Sequence, residues 1–357
     1  MNLFIISSPY HLLLALNKSN YSKTDYCILI DEENKLSNYK KVIENSFQKS
    51  WYVTFPKGRI DKYLQFNQIS LIFKFKIRRI IDIVNSDSIN EIYINNDHFF
   101  GCQILVNKIK CNSVSYIEDG ASLYNQWTYR DSLLLNTYSK NKILIFLSKK
   151  FPKIIDKFFF LIRKYFYIFL FGDNVKQISF MGTAFNYKKM FALYPDFVRT
   201  DLKKKVLQFE SSKDINLNFI NLSKIFKLNN IKKDFKYVVF VLTRLSEDQN
   251  EKWIERLVLE NSIPKKNILI KPHPLAIYDM SNIKENYMFA SNDIPIELLS
   301  SIINISHIYG PPSTALYSIK FFNPAINVTC IIKNEKMRNS TLVKMLEKCD
   351  INLLSCY

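Results

Sequence analysis

Glycine is scarce in this chain. Only six of the 357 residues are glycines, against a usual share of roughly 7%, and no two of them have the spacing of a dinucleotide fingerprint or a P-loop. The chain has no Asp-x-Asp pair, which excludes the usual metal-nucleotide clamp of one large class of sugar transferases. Its four histidines and six cysteines form no zinc motif. We therefore expect neither a metal nor a resident cofactor.

Cysteine usage and charge indicate the surroundings of the protein. Most cysteines lie in apolar runs, as Cys27 does within Tyr26–Ile30, which is typical of buried free thiols in a reducing compartment. The 50 basic and 32 acidic residues give a net charge of +18, which favours anionic partners. The basic residues are spread along the chain and match no nucleic-acid motif, so we expect no nucleic-acid partner.

Basic residues interrupt the longest apolar segment. Residues 143–171 are rich in Phe, Ile and Leu, but their longest stretch without a charge, Tyr165–Phe171, has 7 residues, against the ~20 that span a bilayer. Two interpretations stay open, a packed pair of helices or a helix on an anionic membrane surface. The apolar N-terminus has no basic segment before it, and Ser7–His11 interrupts it, so we expect a strand and a helix there rather than a signal peptide.

Strand and helix signals alternate in the first third and again in the last part of the chain. This order predicts an α/β fold with mainly parallel sheets, arranged as two Rossmann-like domains that face a central cleft. The expected boundaries are 1–135 for the first domain, 136–175 for a basic aromatic helical linker and 176–357 for the second domain. The expected strands are Leu3–Ile6, Tyr26–Ile30, Trp51–Phe55, Glu91–Ile94, Ser113–Ile117, Gln177–Phe180, Tyr237–Leu242, Asn267–Lys271, Ser306–Tyr309 and Ala325–Val328.

Two polar clusters follow predicted strands, where ligands bind in open α/β sheets. Glu118, Asp119 and Gly120 come after Ser113–Ile117. A carboxylate there can accept a proton from a hydroxyl, or the segment is an acidic turn with its glycine at a positive φ. His273 follows Lys271 and lies between Pro272 and Pro274. Prolines hold such a turn extended, which suits a general acid or a cationic partner for a phosphate.

Two further clusters have the same position. Gly310-Pro311-Pro312-Ser313-Thr314 begins a predicted helix, and free N–H groups with two hydroxyls at a helix N-terminus suit a phosphate. Simple helix capping would use only one of those hydroxyls. The segment Thr243–Gln249 contains Asp248, and Ser246 with Gln249 fits a capping box. Asp248 is therefore either a catalytic base or part of a helix cap.

In their order along the chain, Glu118-Asp119-Gly120, His273-Pro274 and Ser313-Thr314 resemble the three short motifs of bacterial sialyltransferases. With the opening Ile5–Leu13 and the segment Thr243–Asp248, the chain looks most like glycosyltransferase family 52, which includes lipooligosaccharide and capsular sialyltransferases. The resemblance implies a GT-B fold, a CMP-sialic acid donor, and inversion at the anomeric carbon without a metal. The first domain would then be the acceptor side and the second would bind the nucleotide sugar.

The resemblance also assigns roles to residues. His273 would be the acid or the phosphate partner, Ser313 and Thr314 would hold the CMP phosphate, and Lys271, Pro274 and Gly310 would belong to the same donor site. Two positions compete for the base. One is the acidic pair Glu118 and Asp119, which related families use; the other is Asp248, which the resemblance to family 52 implies and which we favour slightly. The resemblance makes a homodimer plausible.

The expected function is therefore the transfer of sialic acid from CMP-sialic acid to a hydroxyl of a lipooligosaccharide or capsular glycan. We expect it in the bacterial cytoplasm, with peripheral contact to the inner face of the cytoplasmic membrane. Two alternatives remain. The chain could be another GT-B transferase that uses a CMP- or CDP-activated donor, such as Kdo or glycerol phosphate, or a non-catalytic basic protein of the membrane surface.

Overall fold

The structure is a computed structural model. It describes residues 1–19, 23–31, 36–54, 69–124, 142–173, 175–178, 180–210, 235–242, 247–273 and 286–355. The chain forms two compact units, Met1–Gln208 and Phe209–Tyr357. Each unit has a parallel sheet, which confirms the predicted α/β class.

The first unit is built on a seven-stranded sheet in the order β3-β2-β1-β4-β5-β6-β7. Its strands are β1 Asn2–Ile6, β2 Tyr26–Ile30, β3 Lys49–Val53, β4 Ile89–Ile94, β5 Cys111–Ile117, β6 Met190–Ala192 and β7 Val206–Gln208. Its described α-helices are α1 Pro9–Lys18, α2 Lys40–Ser46, α3 Ile69–Asn85, α4 Phe100–Lys108, α5 Lys142–Lys150 and α6 Pro152–Phe171.

The central strands of this sheet are buried on both faces. All five residues of β2 are buried, as are the last four of β1, which is the pattern of a parallel strand covered by helices on either side. The helix that follows β1 begins at an N-cap, where the Ser8 hydroxyl accepts from the His11 backbone N–H and Pro9 takes the first helical position. The strand and helix expected at the N-terminus are thereby confirmed.

The second unit has a six-stranded sheet in the order β10-β9-β8-β11-β12-β13. Its strands are β8 Lys236–Val241, β9 Ile268–Lys271, β10 Met288–Phe289, β11 Asn304–Gly310, β12 Asn327–Ile332 and β13 Asn352–Ser355. Its described α-helices are α7 Glu247–Glu260, α8 Ile296–Ile302, α9 Thr314–Phe322, α10 Glu335–Arg338 and α11 Thr341–Lys348. The core on one side of the sheet packs Trp253 and Ile254 of α7 against Phe240 and Ile270.

The structure places the end of the first unit later than the boundary expected at residue 135. Strands β6 and β7 pair with β5 and with each other in the first sheet, so this unit continues to Gln208. Helices α5 and α6, expected as a linker, belong to it as well. The expected strand Gln177–Phe180 is wrong, because its described residues are not in a strand. The central cleft stays a prediction, since each unit is described by itself.

The cysteines are free thiols in the described part of the chain. Cys27, Cys102, Cys330 and Cys349 are buried and Cys111 is half-buried, as the sequence predicted for most of them; Cys356 lies outside the described residues. In the same part of the chain, no helix is long and apolar enough to cross a bilayer.

Gly310 offers a test of how tightly the second sheet is packed at its carboxyl edge. A Cβ added there would lie 3.1 Å from Val241 Cβ and 3.2 Å from Val241 O on the neighbouring strand. We expect Gly310→Ala to cost about 1–3 kcal/mol by overpacking and to lower the Tm of the second unit by several degrees. Differential scanning calorimetry would measure it.

A matched control is Gly172, whose φ is +70° and whose added Cβ would meet nothing within 4 Å. At Gly172 the cost is conformational, so Gly172→Asn should lower the Tm less than Gly172→Ala. At Gly310 the cost is steric, so Gly310→Asn should lower the Tm more than Gly310→Ala. An unchanged Tm for Gly310→Ala would contradict the close packing.

Candidate active site

In each sheet the strand order reverses at one pair of neighbouring strands. This switch point lies between β1 and β4 in the first unit and between β8 and β11 in the second. Ligands of open α/β sheets bind in the crevice at the carboxyl ends of such strands. The predicted acidic cluster follows β5, which adjoins β4, and the predicted hydroxyl cluster follows β11 itself.

Asp119 and His11 form a side-chain hydrogen bond at the edge of the first sheet. The Asp119 carboxylate contacts His11 Nε2 across the end of β4. The other ring nitrogen, Nδ1, accepts from the Ser7 backbone N–H at 3.4 Å and lies 3.2 Å from Ser7 Oγ. Because the Ser7 N–H can only donate, Nδ1 is an acceptor, and the proton of the neutral ring belongs on Nε2, facing Asp119.

The two carboxylates of the acidic pair have different surroundings. Glu118 is 0% exposed. Its carboxylate accepts from Tyr10 OH at 2.6 Å, from the Leu193 N–H at 2.7 Å, and from Tyr124 OH. The Asp119 side chain is 15% exposed. Glu118 is therefore enclosed by protein donors, and its geometry is structural, whereas Asp119 keeps access to a ligand.

The backbone after the acidic pair turns sharply at Gly120. This residue has φ 84° and ψ −145°, a conformation that a side chain would strain, as the turn interpretation predicted.

Two buried charged side chains hold the loop near residues 181–184. The guanidinium of buried Arg199 donates to Met181 O at 3.0 Å and to the Asp201 carboxylate. Asp97, after the end of β4, accepts from the Gly182 and Ala184 N–H groups and from Tyr187 OH.

Burial raises the pKa of Asp97, while the two N–H groups and Tyr187 pull it back down. This carboxylate ties the loop at residues 181–184 to the carboxyl end of β4. Asp97 and Arg199 were missed by the sequence analysis. A lone Asp or Arg carries no sequence signal of burial, and apart from Asp201 the partners named here lie from 18 to 90 residues away.

Ser313 in the second unit is a buried hydroxyl at a helix start. It is the N-cap of α9, yet it makes no side-chain capping bond, and its Oγ is buried without a hydrogen-bond partner among the described residues. An ordinary N-cap would use this oxygen on the first turn. The simple capping interpretation therefore does not fit Ser313, and its role at the donor site stays a prediction.

Lys271 and His273 lie at the end of β9. The Lys271 side chain is buried, and its ammonium donates to Pro272 O at 2.8 Å and Asn292 O at 3.3 Å. Burial lowers the pKa of Lys271 from 10.5 to about 8, against the opposing pull of the Glu297 and Asp293 charges. Its ammonium thus holds the backbone just before half-buried His273. The expected place of Lys271 in the donor site stays a prediction.

Glu297 links this region to α9. It is buried, and Ser318 of α9 donates a hydrogen bond to its carboxylate. Burial raises the pKa of Glu297, with Ser318 and the Lys271 charge opposing that rise. One buried cluster thus connects the segment that carries His273 with the helix that begins after Ser313.

Some predicted site residues cannot be placed in this way. Pro274 and the segment 243–246 lie outside the described residues, and for Asp248 only its place in the first turn of α7 is described. Thr314 opens α9 beside Ser313. The described residues contain no group of three or more His, Cys, Asp or Glu side chains placed to hold a metal; metal-independent chemistry stays a prediction.

His11 and Tyr10 are the site residues that sequence reasoning quoted but gave no role. A sequence signal for these two residues was present, because Ser7-Ser8-Pro9 is typical of a helix start directly after a buried strand. That helix start places Tyr10 and His11 at the sheet edge. Tyr124 gave no such signal. Tyr10 and His11 contact carboxylates 108 residues away, and Tyr124 contacts Glu118 across the turn at Gly120.

Two solved structures with a similar fold are sialyltransferases. A crystal structure of an α/β-galactoside α-2,3-sialyltransferase from Photobacterium phosphoreum matches with a TM-score of 0.51 at 14% identity, covering 99% of this chain and 97% of that one. The GT-B domain of a sialyltransferase from Photobacterium damselae matches with a TM-score of 0.50 at 14% identity and full coverage of both chains. The protein therefore has the GT-B fold of a glycosyltransferase, as predicted.

The chain belongs to the alpha-2,8-polysialyltransferase family, whose model matches residues 2–332. The match includes the acidic pair, the His-Pro motif and the Ser-Thr pair. No curated protein matches the chain. The expectation of a bacterial sialyltransferase is confirmed; the assignment to glycosyltransferase family 52 stays a prediction.

The different surroundings of Glu118 and Asp119 predict stability effects of different size. Glu118→Gln replaces a buried anion that holds three donors, and bonds to a charged group contribute about 1.5–3 kcal/mol each. We expect it to lower the Tm of the first unit clearly, whereas Asp119→Asn, at a partly exposed position, should lower it much less. Thermal unfolding of the two variants side by side measures this. Equal losses of Tm would contradict the structural role of Glu118.

The lowered pKa of Lys271 predicts how the stability of the protein depends on pH. Its folded pKa of about 8 lies below the unfolded 10.5, so between these values the unfolded chain binds more protons and stability rises with pH. The penalty of burying the ammonium, about 3 kcal/mol, is present in full below pH 8 and relieved as pH approaches 10.5.

Lys271→Met should remove this rise. The test is the difference between wild type and variant in urea unfolding across that pH window, because the difference cancels the titration of other groups. The exposed Lys266→Met is a matched control on the same unit. A wild-type stability that falls from pH 8 to 10.5 relative to Lys271→Met would show that the ammonium is not buried at a cost.

Proposed function

We propose that the protein transfers sialic acid from CMP-sialic acid to a hydroxyl of a cell-surface glycan, with inversion and without a metal. The observation that carries this proposal is the His11–Asp119 pair at the switch point of a chain that belongs to a sialyltransferase family. The first unit would activate the acceptor, and the second would bind the donor.

Asp119 is the base in this proposal. Its carboxylate keeps partial exposure while Glu118 is enclosed, and a general base must reach the hydroxyl that it deprotonates. As the acceptor proton moves to Asp119, the His11 Nε2–H stays hydrogen-bonded to the same carboxylate and holds its orientation. The geometry thus favours Asp119 over Glu118. Asp248 remains the competing base, supported by the family 52 resemblance.

The second unit supplies groups for a departing phosphate. Ser313 Oγ has no protein partner among the described residues and lies at the N-terminus of a nine-residue helix, whose partial positive charge favours an anion. His273 follows β9, two positions along the sheet from β11, and would neutralise or protonate the CMP phosphate as the glycosidic bond to it breaks. Thr314 and the backbone near Gly310 would complete the donor site.

The acceptor and the location are the finer parts of the proposal. The matched family is described as polysialyltransferases, so α-2,8-linked oligosialic acid is the first acceptor to test, followed by lactose-type acceptors of the lipooligosaccharide kind. Such capsular or lipooligosaccharide substrates would place the enzyme at the inner face of the cytoplasmic membrane. A homodimer is part of the same proposal.

The test is CMP release from CMP-sialic acid with these acceptors in the presence of EDTA. We expect turnover in the wild type and a loss of at least about 10²-fold in kcat for Asp119→Asn, the usual range for removing a general base. The same substitution at Asp248 distinguishes the two candidate bases. Ser313→Ala and His273→Ala should weaken donor use without a large change in Tm.

Several outcomes would contradict the proposal. No CMP release with any of the acceptors would overturn it, and full activity of Asp119→Asn with loss in Asp248→Asn would move the base to the second unit. A thermal shift caused by CDP but not by CMP would favour a CDP-activated donor, since a bound nucleotide raises apparent stability. Loss of activity when EDTA is added, restored by a divalent cation, would overturn the metal-independent mechanism.

A further inference from the structure

Helix α6 has a stripe of exposed large apolar residues. Ile154, Phe158, Tyr165 and Phe169 are 65%, 54%, 66% and 76% exposed. Their spacings of four, seven and four residues put them within about 60° of one another on a helix of 3.6 residues per turn. We call these four residues the aromatic stripe. It runs along most of a 20-residue helix, a length of about 30 Å.

The opposite face of the same helix is packed into the first unit. Phe159, Tyr167 and Leu170 are buried, and the Phe100 ring of α4 makes an edge contact with Tyr167 at 5.7 Å between centroids. Helix α6 also packs against α3 and α5. One face of the helix is therefore packed into the core, as one of the two interpretations predicted, whereas the aromatic stripe takes no part in that packing.

A row of lysines flanks the stripe. Lys153 and Lys157 are exposed and Lys164 is half-exposed, and their spacing puts all three on one side of the stripe. The two helices together, residues 142–171, contain seven basic residues and one acidic residue. An apolar face bordered by lysines matches the boundary between lipid tails and anionic headgroups.

Helix α5 and the junction to α6 have the same composition. Ile143 and Phe146 of α5 are 69% and 59% exposed, and Phe151 at the junction is exposed as well. Lys150 Nζ lies 5.7 Å and 5.6 Å from the ring centroids of Phe146 and Phe151. Aromatic rings and ammonium groups are thus side by side here too.

The charge of this region argues against a second copy of the chain as its partner. In a two-fold symmetric interface the same surface meets itself, so two regions that each have a net charge of +6 would be brought together. An anionic surface instead neutralises them. Crossing the bilayer is disfavoured as well, since α6 contains basic residues along its length.

We propose that helix α6 lies flat on an anionic lipid membrane, with the aromatic stripe inserted at the headgroup boundary and Lys153, Lys157 and Lys164 against lipid phosphates. This contact is independent of the transferase chemistry, because it uses none of the residues assigned to the site. It would hold the enzyme at the surface where a lipid-linked acceptor is presented.

The test is co-sedimentation of the full chain with vesicles of phosphatidylcholine alone and of phosphatidylcholine mixed with phosphatidylglycerol. We expect binding to the mixed vesicles only. Lys153→Gln with Lys157→Gln should weaken partitioning on the order of 30-fold, because each lysine near an anionic surface contributes about fivefold. Phe158→Ser with Phe169→Ser should weaken it at least about tenfold.

Matched controls lie outside the two helices. Lys203→Gln with Lys204→Gln removes two exposed lysines of the same unit, and Leu259→Ser removes an apolar side chain of the second unit that is 78% exposed. Neither should change binding. Because every substituted residue is exposed, Tm should be unchanged.

CMP release measured with a soluble acceptor separates this inference from the proposed function. The stripe and lysine variants should keep that activity whether or not vesicles are present. Equal binding to both vesicle types, or equal loss in the control variants, would overturn the proposal. A dimer in solution that Phe158→Ser with Phe169→Ser dissociates would also overturn it, since the stripe would then be a contact between copies.

Discussion

The buried Glu118 carboxylate is the interaction on which the edge of the first sheet depends. Its donors come from three separate parts of the chain: Tyr10 in α1, Tyr124 after Gly120, and the Leu193 N–H after β6. A buried anion is tolerated only when its oxygens are satisfied, so these segments must keep their places together. Because these contacts fix the backbone at Glu118, they also fix the position of the next residue, Asp119.

In the second unit a buried cation, the Lys271 ammonium, holds segments in place at the sheet edge. The Lys271 ammonium is buried at the end of β9 and satisfied by two backbone carbonyls, while Glu297 is held by Ser318 of α9. These contacts fix the turn that leads to His273 and the helix that begins after Ser313. Few glycines are needed in such a site, because buried charges and prolines shape the strand ends that a glycine-rich loop shapes elsewhere.

The local sequence pattern predicted most of the strands of the fold, but it did not predict most of the contacts at the candidate site. Buried runs such as Tyr26–Ile30 are strands at the predicted residues, since a continuous apolar run suits a parallel strand covered on both faces. Strands β6 and β7, of three residues each, were missed because so short a segment has no period to detect. The acidic pair was found, but its partners Tyr10 and His11 are set by strand order, which a single sequence does not reveal.

The contrast between Glu118 and Asp119 has a simple geometric origin. Side chains of consecutive residues at the end of a strand point to opposite sides, so of two adjacent carboxylates one faces the interior and the other the crevice. The inner one must be satisfied by protein donors, and Glu has the longer side chain with which to reach them. The outer one is free of that task and needs only an orienting partner, which His11 provides. In this acidic pair the Glu118 carboxylate thus joins the segments at the sheet edge, while the Asp119 carboxylate keeps partial exposure beside His11.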